Sequence, residues 1–132
     1  MTPKVAVIGC GGIGKRHLQS LLKFQPALDI FAVDSSPEAL AETETLLSEF
    51  STQMSYLTSL DELPSEITLA IVATSSAPRL AITEILLARA SVEFLILEKV
   101  LFSEVDAYAR AQEVIDRTDT KVWVNCPRRM TS

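Results

Sequence analysis

Short apolar runs alternate along this chain with longer stretches in which apolar residues recur every three or four positions. The runs have the length and β-branched content of buried strands, and the recurrences have the period of helices. Lys4 to Gly9 (KVAVIG) predicts a first strand, and Ile13 to Phe24 a helix with Leu18, Leu21 and Leu22 at helical spacing. Leu28 to Asp34 (LDIFAVD) predicts the second strand. Ser36 has the chemistry of an N-cap, with Pro37 at the first helical position. In the helix that follows, Leu40, Thr43, Leu47 and Phe50 share one face, and Glu38, Glu42 and Glu49 turn to water.

A weaker strand, Met54 to Leu57, comes next, and Ser59 to Leu63 predicts one helical turn before Pro64. Thr68 to Thr74 (TLAIVAT) is a buried strand. Ser75 or Ser76 caps a helix through Ala90, with Ile82, Ile85 and Leu86 inward. Phe94 to Glu98 (FLILE) is a further apolar strand. Ser103 and Asp106 resemble a capping box for a helix whose core stripe is Val105, Tyr108 and Ile115. Lys121 to Asn125 (KVWVN) is the last strand, with Trp123 and Tyr108 expected to fill the core. Strands apolar on both faces imply a sheet covered on both sides, and strand–helix alternation implies right-handed crossovers. The expected architecture is a doubly wound α/β fold: a mostly parallel six-stranded sheet, order 3-2-1-4-5-6, with helices on both faces.

Composition narrows the functions. A chain of 132 residues suits one domain. Hydrophobic residues at 48% and charged residues at 22% exclude intrinsic disorder. A net charge of −5, with only Lys15-Arg16 and Arg128-Arg129 as small basic clusters, disfavours nucleic acid as a partner. Cys10 and Cys126 lack metal-ligand spacing, so no metal is expected. No secretion signal is legible at the N-terminus, and no apolar run approaches the roughly 20 residues that span a bilayer. A cytoplasmic setting, off the membrane, is the expectation.

The chemistry concentrates in one turn. Gly9-Cys10-Gly11-Gly12-Ile13-Gly14 fits G-x-G-x-x-G, directly after a predicted strand and opening a helix. Gly9 permits the tight turn, Gly11 lets the backbone approach a pyrophosphate, and Gly14 lets the helix pack closely. The amides of the first helical turn, near Gly12 and Ile13, then point at phosphate. Asp34 ends the second strand, 20 residues on from Gly14. A carboxylate there accepts hydrogen bonds from the adenosine ribose and repels a 2′-phosphate, and Ser35 and Ser36 add no cation. NAD is therefore favoured over NADP as the bound nucleotide. The competing role for Asp34 is to start the turn into the helix. His17 suits packing or phosphate-side hydrogen bonding better than catalysis, and a redox role for Cys10 is disfavoured. A domain binding S-adenosylmethionine is also disfavoured, because the full glycine motif with Asp34 suits a pyrophosphate.

These residues resemble the N-terminal, NAD(P)-binding Rossmann domain of the Gfo/Idh/MocA oxidoreductase family. Four stretches carry the likeness: VAVIGCGGIGKRHL (Val5 to Leu18), Val33-Asp34, IVATSSAPR (Ile71 to Arg79) and LEKV (Leu97 to Val100). Two positions depart from the family pattern: Val100 stands where the family carries Pro after Glu-Lys, and Thr74-Ser75-Ser76 replaces Thr-Pro. The resemblance implies a dehydrogenase acting on the CH–OH group of a sugar, sugar derivative or cyclitol. It places Lys99 beside the nicotinamide as the catalytic residue, hydrogen bonding the substrate hydroxyl. It puts Glu98 beside the cofactor, and Thr74 and Ser75 along the nicotinamide ribose. It also implies that residues 1–126 are the dinucleotide-binding domain and that 127–132 begin the connection to a substrate domain. On this reading the fragment alone is inactive, and a homo-oligomer is expected only of a full-length form. The alternative is a stand-alone, non-enzymatic module that binds or senses NAD.

Overall fold

Val5 and Val7 project to one side of the first strand and Ala6 and Ile8 to the other, and all four are buried. A strand buried on both faces must lie inside a sheet with layers on either side. That strand, β1 (Lys4–Ile8), is central in a six-stranded sheet of order β3-β2-β1-β4-β5-β6, in which β2 is Asp29–Val33, β3 Met54–Leu57, β4 Glu66–Val72, β5 Ser91–Glu98 and β6 Lys121–Asn125. Every recorded pairing is parallel. The computed structural model describes residues 3–24, 28–48, 54–74, 76–98 and 112–125.

The helices divide between the faces as right-handed crossovers require. Helices α1 (Gly12–Phe24) and α2 (Pro37–Leu46) cover one face, where Leu18, Leu22, Leu40 and Leu47 pack with Val5, Val7 and Ile30. Helix α3 (Ser76–Arg89) and the helical stretch 112–116, α4, cover the other face, with Leu86 and Leu87 on Ala70, Val72 and Leu95. The Ser36 hydroxyl accepts the Ala39 N–H at 3.2 Å, which caps α2 as its sequence predicts. Among the described residues no helix is long and apolar enough to cross a membrane.

Several expectations shift. β4 starts at Glu66 and β5 at Ser91, ahead of the apolar runs, because parallel pairing of Glu66 with Ser91 supplies hydrogen bonds that hydropathy does not register. Ile85 is 50% exposed rather than inward. It lies about 100° around α3 from Leu86, and the buried stripe is Thr83, Leu86, Leu87 and Ala90. Trp123 does not fill the core either: it is 52% exposed and stacks on Phe94 at 5.6 Å between ring centroids. Its face is the one that α1 and α2 cover over β2 and β1, and no described helix crosses it at β5 and β6. Phe50, Val105, Tyr108 and the Ser103 cap lie outside the described residues.

Candidate functional site

Two turns meet at the carboxyl edge of the sheet. The first leaves β1 through Gly9, whose φ of 101° is a region that side-chain-bearing residues rarely adopt. Its N–H donates to Val33 O at 2.7 Å, which ties the turn to β2. A Cβ on Gly14 would overlap the Gly9 carbonyl, so α1 starts against the turn only because that position is bare. Gly11 and Gly12 differ: a Cβ on either would meet nothing within 4 Å. The glycines at 9 and 14 thus serve the fold, and those at 11 and 12 leave room for a ligand to approach the backbone.

Within α1 the Lys15 N–H donates to Gly11 O at 2.9 Å. The amides of Gly12, Ile13 and Gly14 stand ahead of that bond, at the positive end of the helix, where anions bind. Ile13 is 41% exposed, so its side chain does not plug this end. Lys15 pairs with Glu42 of α2 at 3.3 Å.

The second turn follows β2. Asp34 Oδ1 accepts the Ser36 N–H at 2.9 Å, and Oδ2 accepts the Cys10 N–H at 2.8 Å. The first bond is the local turn that an Asp commonly starts. The second crosses to the glycine turn and fixes the carboxylate beside it. Each carboxylate oxygen retains a further lone pair for a ligand hydroxyl. Cys10 itself is fully buried, with Sγ 3.8 Å from Val33 O. Burial, and secondarily the Asp34 charge, push its thiol up to about 11. It stays a protonated thiol at neutral pH, which leaves no thiolate for redox chemistry.

A cavity of about 350 Å³ opens between these turns. Gly9, Asp34, Ser35 and Thr74 line it, four residues that the sequence had singled out. Thr58, Leu60 and Ile82 line it too and were not foreseen. Thr58 directly follows β3, and residues just past a parallel strand border the ligand crevice; that placement was the available clue. Ile82 carried no such clue, since only the seating of α3 brings it to the cavity. A second hollow of about 360 Å³ lies among Lys4, Glu66 and Asp119 at the opposite edge. Ligands of such sheets bind at the carboxyl ends of the strands, which makes the first the candidate site. Glu98 ends β5 in register with Asn125. Ser75 and Lys99 lie outside the described residues. Among the described residues no group of His, Cys, Asp and Glu could hold a metal ion.

A family model described as "Oxidoreductase family, NAD-binding Rossmann fold" matches residues 3–126. No curated protein matches. Among solved structures, the WlbA dehydrogenase from Bordetella pertussis, in complex with NADH and UDP-GlcNAcA, superposes with a TM-score of 0.78 at 18% identity, over 98% of this chain and 38% of that one. The scyllo-inositol dehydrogenase from Lactobacillus casei, with bound NAD(H) and scyllo-inositol, gives 0.78 at 22% identity, over 98% of this chain and 38% of that one. The transcriptional regulator Gal80p from Kluyveromyces lactis gives 0.76 at 13% identity, over 93% and 33%. At such identities the likeness establishes the shared fold. This chain spans less than two fifths of the length of each of these proteins.

Proposed function

This chain belongs to the Gfo/Idh/MocA oxidoreductase family, whose hallmark is an NAD-binding Rossmann fold, and from that premise we propose that it is the cofactor-holding part of an NAD-dependent dehydrogenase acting on a sugar, sugar derivative or cyclitol. The observation that carries the reading is the Cys10 N–H to Asp34 bond of 2.8 Å. It locks the glycine turn and the acid onto one cavity, with bare backbone at Gly11 and Gly12 facing open space.

In this reading the amides of Gly12 and Ile13 receive the pyrophosphate. Asp34 accepts the adenosine ribose hydroxyls, with Ser35 at its side, and Leu60, Ile82 and Thr58 wall the base. Thr74 and Ser75 border the nicotinamide ribose, and Glu98 stands on the same side. Lys99, the residue after β5, hydrogen bonds the substrate hydroxyl and moves its proton. When bound, NAD supplies the redox chemistry, a hydride passed between its nicotinamide C4 and a substrate carbon. By the family likeness, residues 127–132 lead into a substrate domain that also makes the subunit contacts, in a cytoplasmic enzyme. Titration calorimetry tests the reading: NAD binds, NADP binds more weakly, and no binding of either at millimolar cofactor rejects it.

One finding favours a second reading, a non-enzymatic NAD-binding or sensing module: Gal80p, described as a transcriptional regulator, shares the fold over 93% of this chain. Lys99 separates the two. In a protein carrying this chain with a substrate domain, Lys99→Ala abolishes turnover and spares NAD affinity if the enzyme reading holds.

A further inference from the structure

We propose that Arg89 is a positioning residue for dinucleotide binding, which acts by holding the turn that walls the adenosine side of the cavity, given that this cavity takes NAD as proposed. The turn, a 3₁₀ segment Leu60–Glu62 with its flanks, lies on the crossover from β3 to β4 and belongs to no strand ladder. Its internal bonds set its shape: the Ser59 hydroxyl accepts the Asp61 N–H at 3.1 Å, and the Glu62 carboxylate accepts the Thr58 N–H at 3.2 Å. Neither fixes where the turn sits relative to α3.

Arg89 supplies the polar link, beside the packing of Leu63 in one cluster with Leu86 and Leu87 of α3. From the last turn of α3, its Nη2 donates to Asp61 O at 2.8 Å and to Leu63 O at 2.9 Å. Its Nη1 lies 3.8 Å from the Asp61 carboxylate, but that group is 83% exposed and adds little. The two carbonyls are the anchors, and the two N–H groups of the single Nη2 nitrogen reach both. Leu63, held at one carbonyl, is buried in the core. Leu60, one step before the other, lines the cavity.

A second lining residue comes from the same helix. Ile82 lines the cavity and stands seven residues before Arg89, about two turns or 10 Å along the same face of α3. One face of α3 therefore carries both a cavity-lining residue and the clamp on the turn that bears another. Arg89 thus holds Leu60 at a cavity that Ile82 also lines, and the two give it apolar surface suited to a flat group such as a purine base.

Calorimetry on the whole chain, with NAD as the probe, tests this in a double-mutant cycle. Arg89→Ala weakens NAD binding about ten-fold, as expected when the binding-competent placement of the turn falls to about a tenth of the population. Arg89→Lys loses part of that. In a Leu60→Ala background, removing Arg89 adds less than about two-fold, because its effect runs through Leu60. Additive losses in the cycle, or unchanged affinity in Arg89→Ala, overturn the proposal. If Arg89→Ala does not fold, Arg89→Met, which keeps the stem and removes both donors, decides, and wild-type affinity there overturns it. Failure of the unsubstituted chain to bind NAD removes the cavity assignment itself, whereas binding that ignores Arg89 removes only this inference.

Discussion

Gly14 and Gly11 sit three residues apart in one motif, yet their substitution by alanine has opposite consequences. By helix propensity alone, Gly14→Ala in α1 should stabilise the chain by up to about 1 kcal/mol. The structure reverses the sign. The added Cβ overlaps the Gly9 carbonyl oxygen and lies 2.9 Å from its carbon, and both are backbone atoms of a turn already held at φ 101°. Neither is the far end of a flexible side chain, so the start of α1 must withdraw from β1. Overpacking of this kind costs about 1–3 kcal/mol. With backbone as the obstacle we take the upper end, for a net loss of about 2 kcal/mol after the propensity gain. In urea denaturation that lowers the midpoint by roughly 1 M, with a slope of about 1–3 kcal/mol/M for a domain of this size. Gly11→Ala meets nothing within 4 Å and leaves the stability within about 0.5 kcal/mol of the parent. It fills the space that the pyrophosphate needs, and so abolishes NAD binding in calorimetry. A Gly14→Ala midpoint at or above the parent would falsify the packing argument. Undiminished NAD affinity in Gly11→Ala would refute the assignment of that open space to the cofactor.

Other perturbations probe the second turn. Asp34→Asn keeps one accepting oxygen and turns the other group into a donor facing an N–H, so it costs about 1–2 kcal/mol in urea denaturation and weakens NAD binding; an unchanged midpoint removes the clamp from the account. Burial pushes the Cys10 thiol from its ordinary 9.0 to about 11, so the folded chain holds that proton more tightly than the unfolded one. Its contribution to stability is therefore full below pH 9 and is lost as pH rises through 11, by up to about 3 kcal/mol. Cys10→Ala should flatten the slope in that window; a slope equal to the parent's would assign the loss to other groups. Ser36→Ala removes the cap on the Ala39 N–H and costs about 1 kcal/mol, whereas Ser36→Asp retains the parent midpoint in the same assay.

The strand–helix alternation was legible in the sequence because it rests on local regularities (apolar runs, helical spacing, a cap at Ser36 and glycines at a strand end), and the parallel sheet and its order followed from the crossover rules that such alternation obeys. Of the candidate site, the shared edge was legible. Gly9, Asp34, Ser35 and Thr74 converge on one cavity because residues at the carboxyl ends of parallel strands must share an edge. Other features depended on contacts between segments far apart in the chain. Trp123 is an apolar residue in an apolar strand, and its exposure follows from which half of a face the crossovers cover. Ile85 fits a helical stripe nearly as well as Leu87, and the seating of α3 chose between them. The bond from Cys10 to Asp34 spans 24 positions, and the grip of Arg89 on Leu63 spans 26. Periodicity records what neighbours along the chain have in common, so it specifies the elements. Only packing brings distant backbone groups within hydrogen-bond range, and that is where the walls of the cavity were decided.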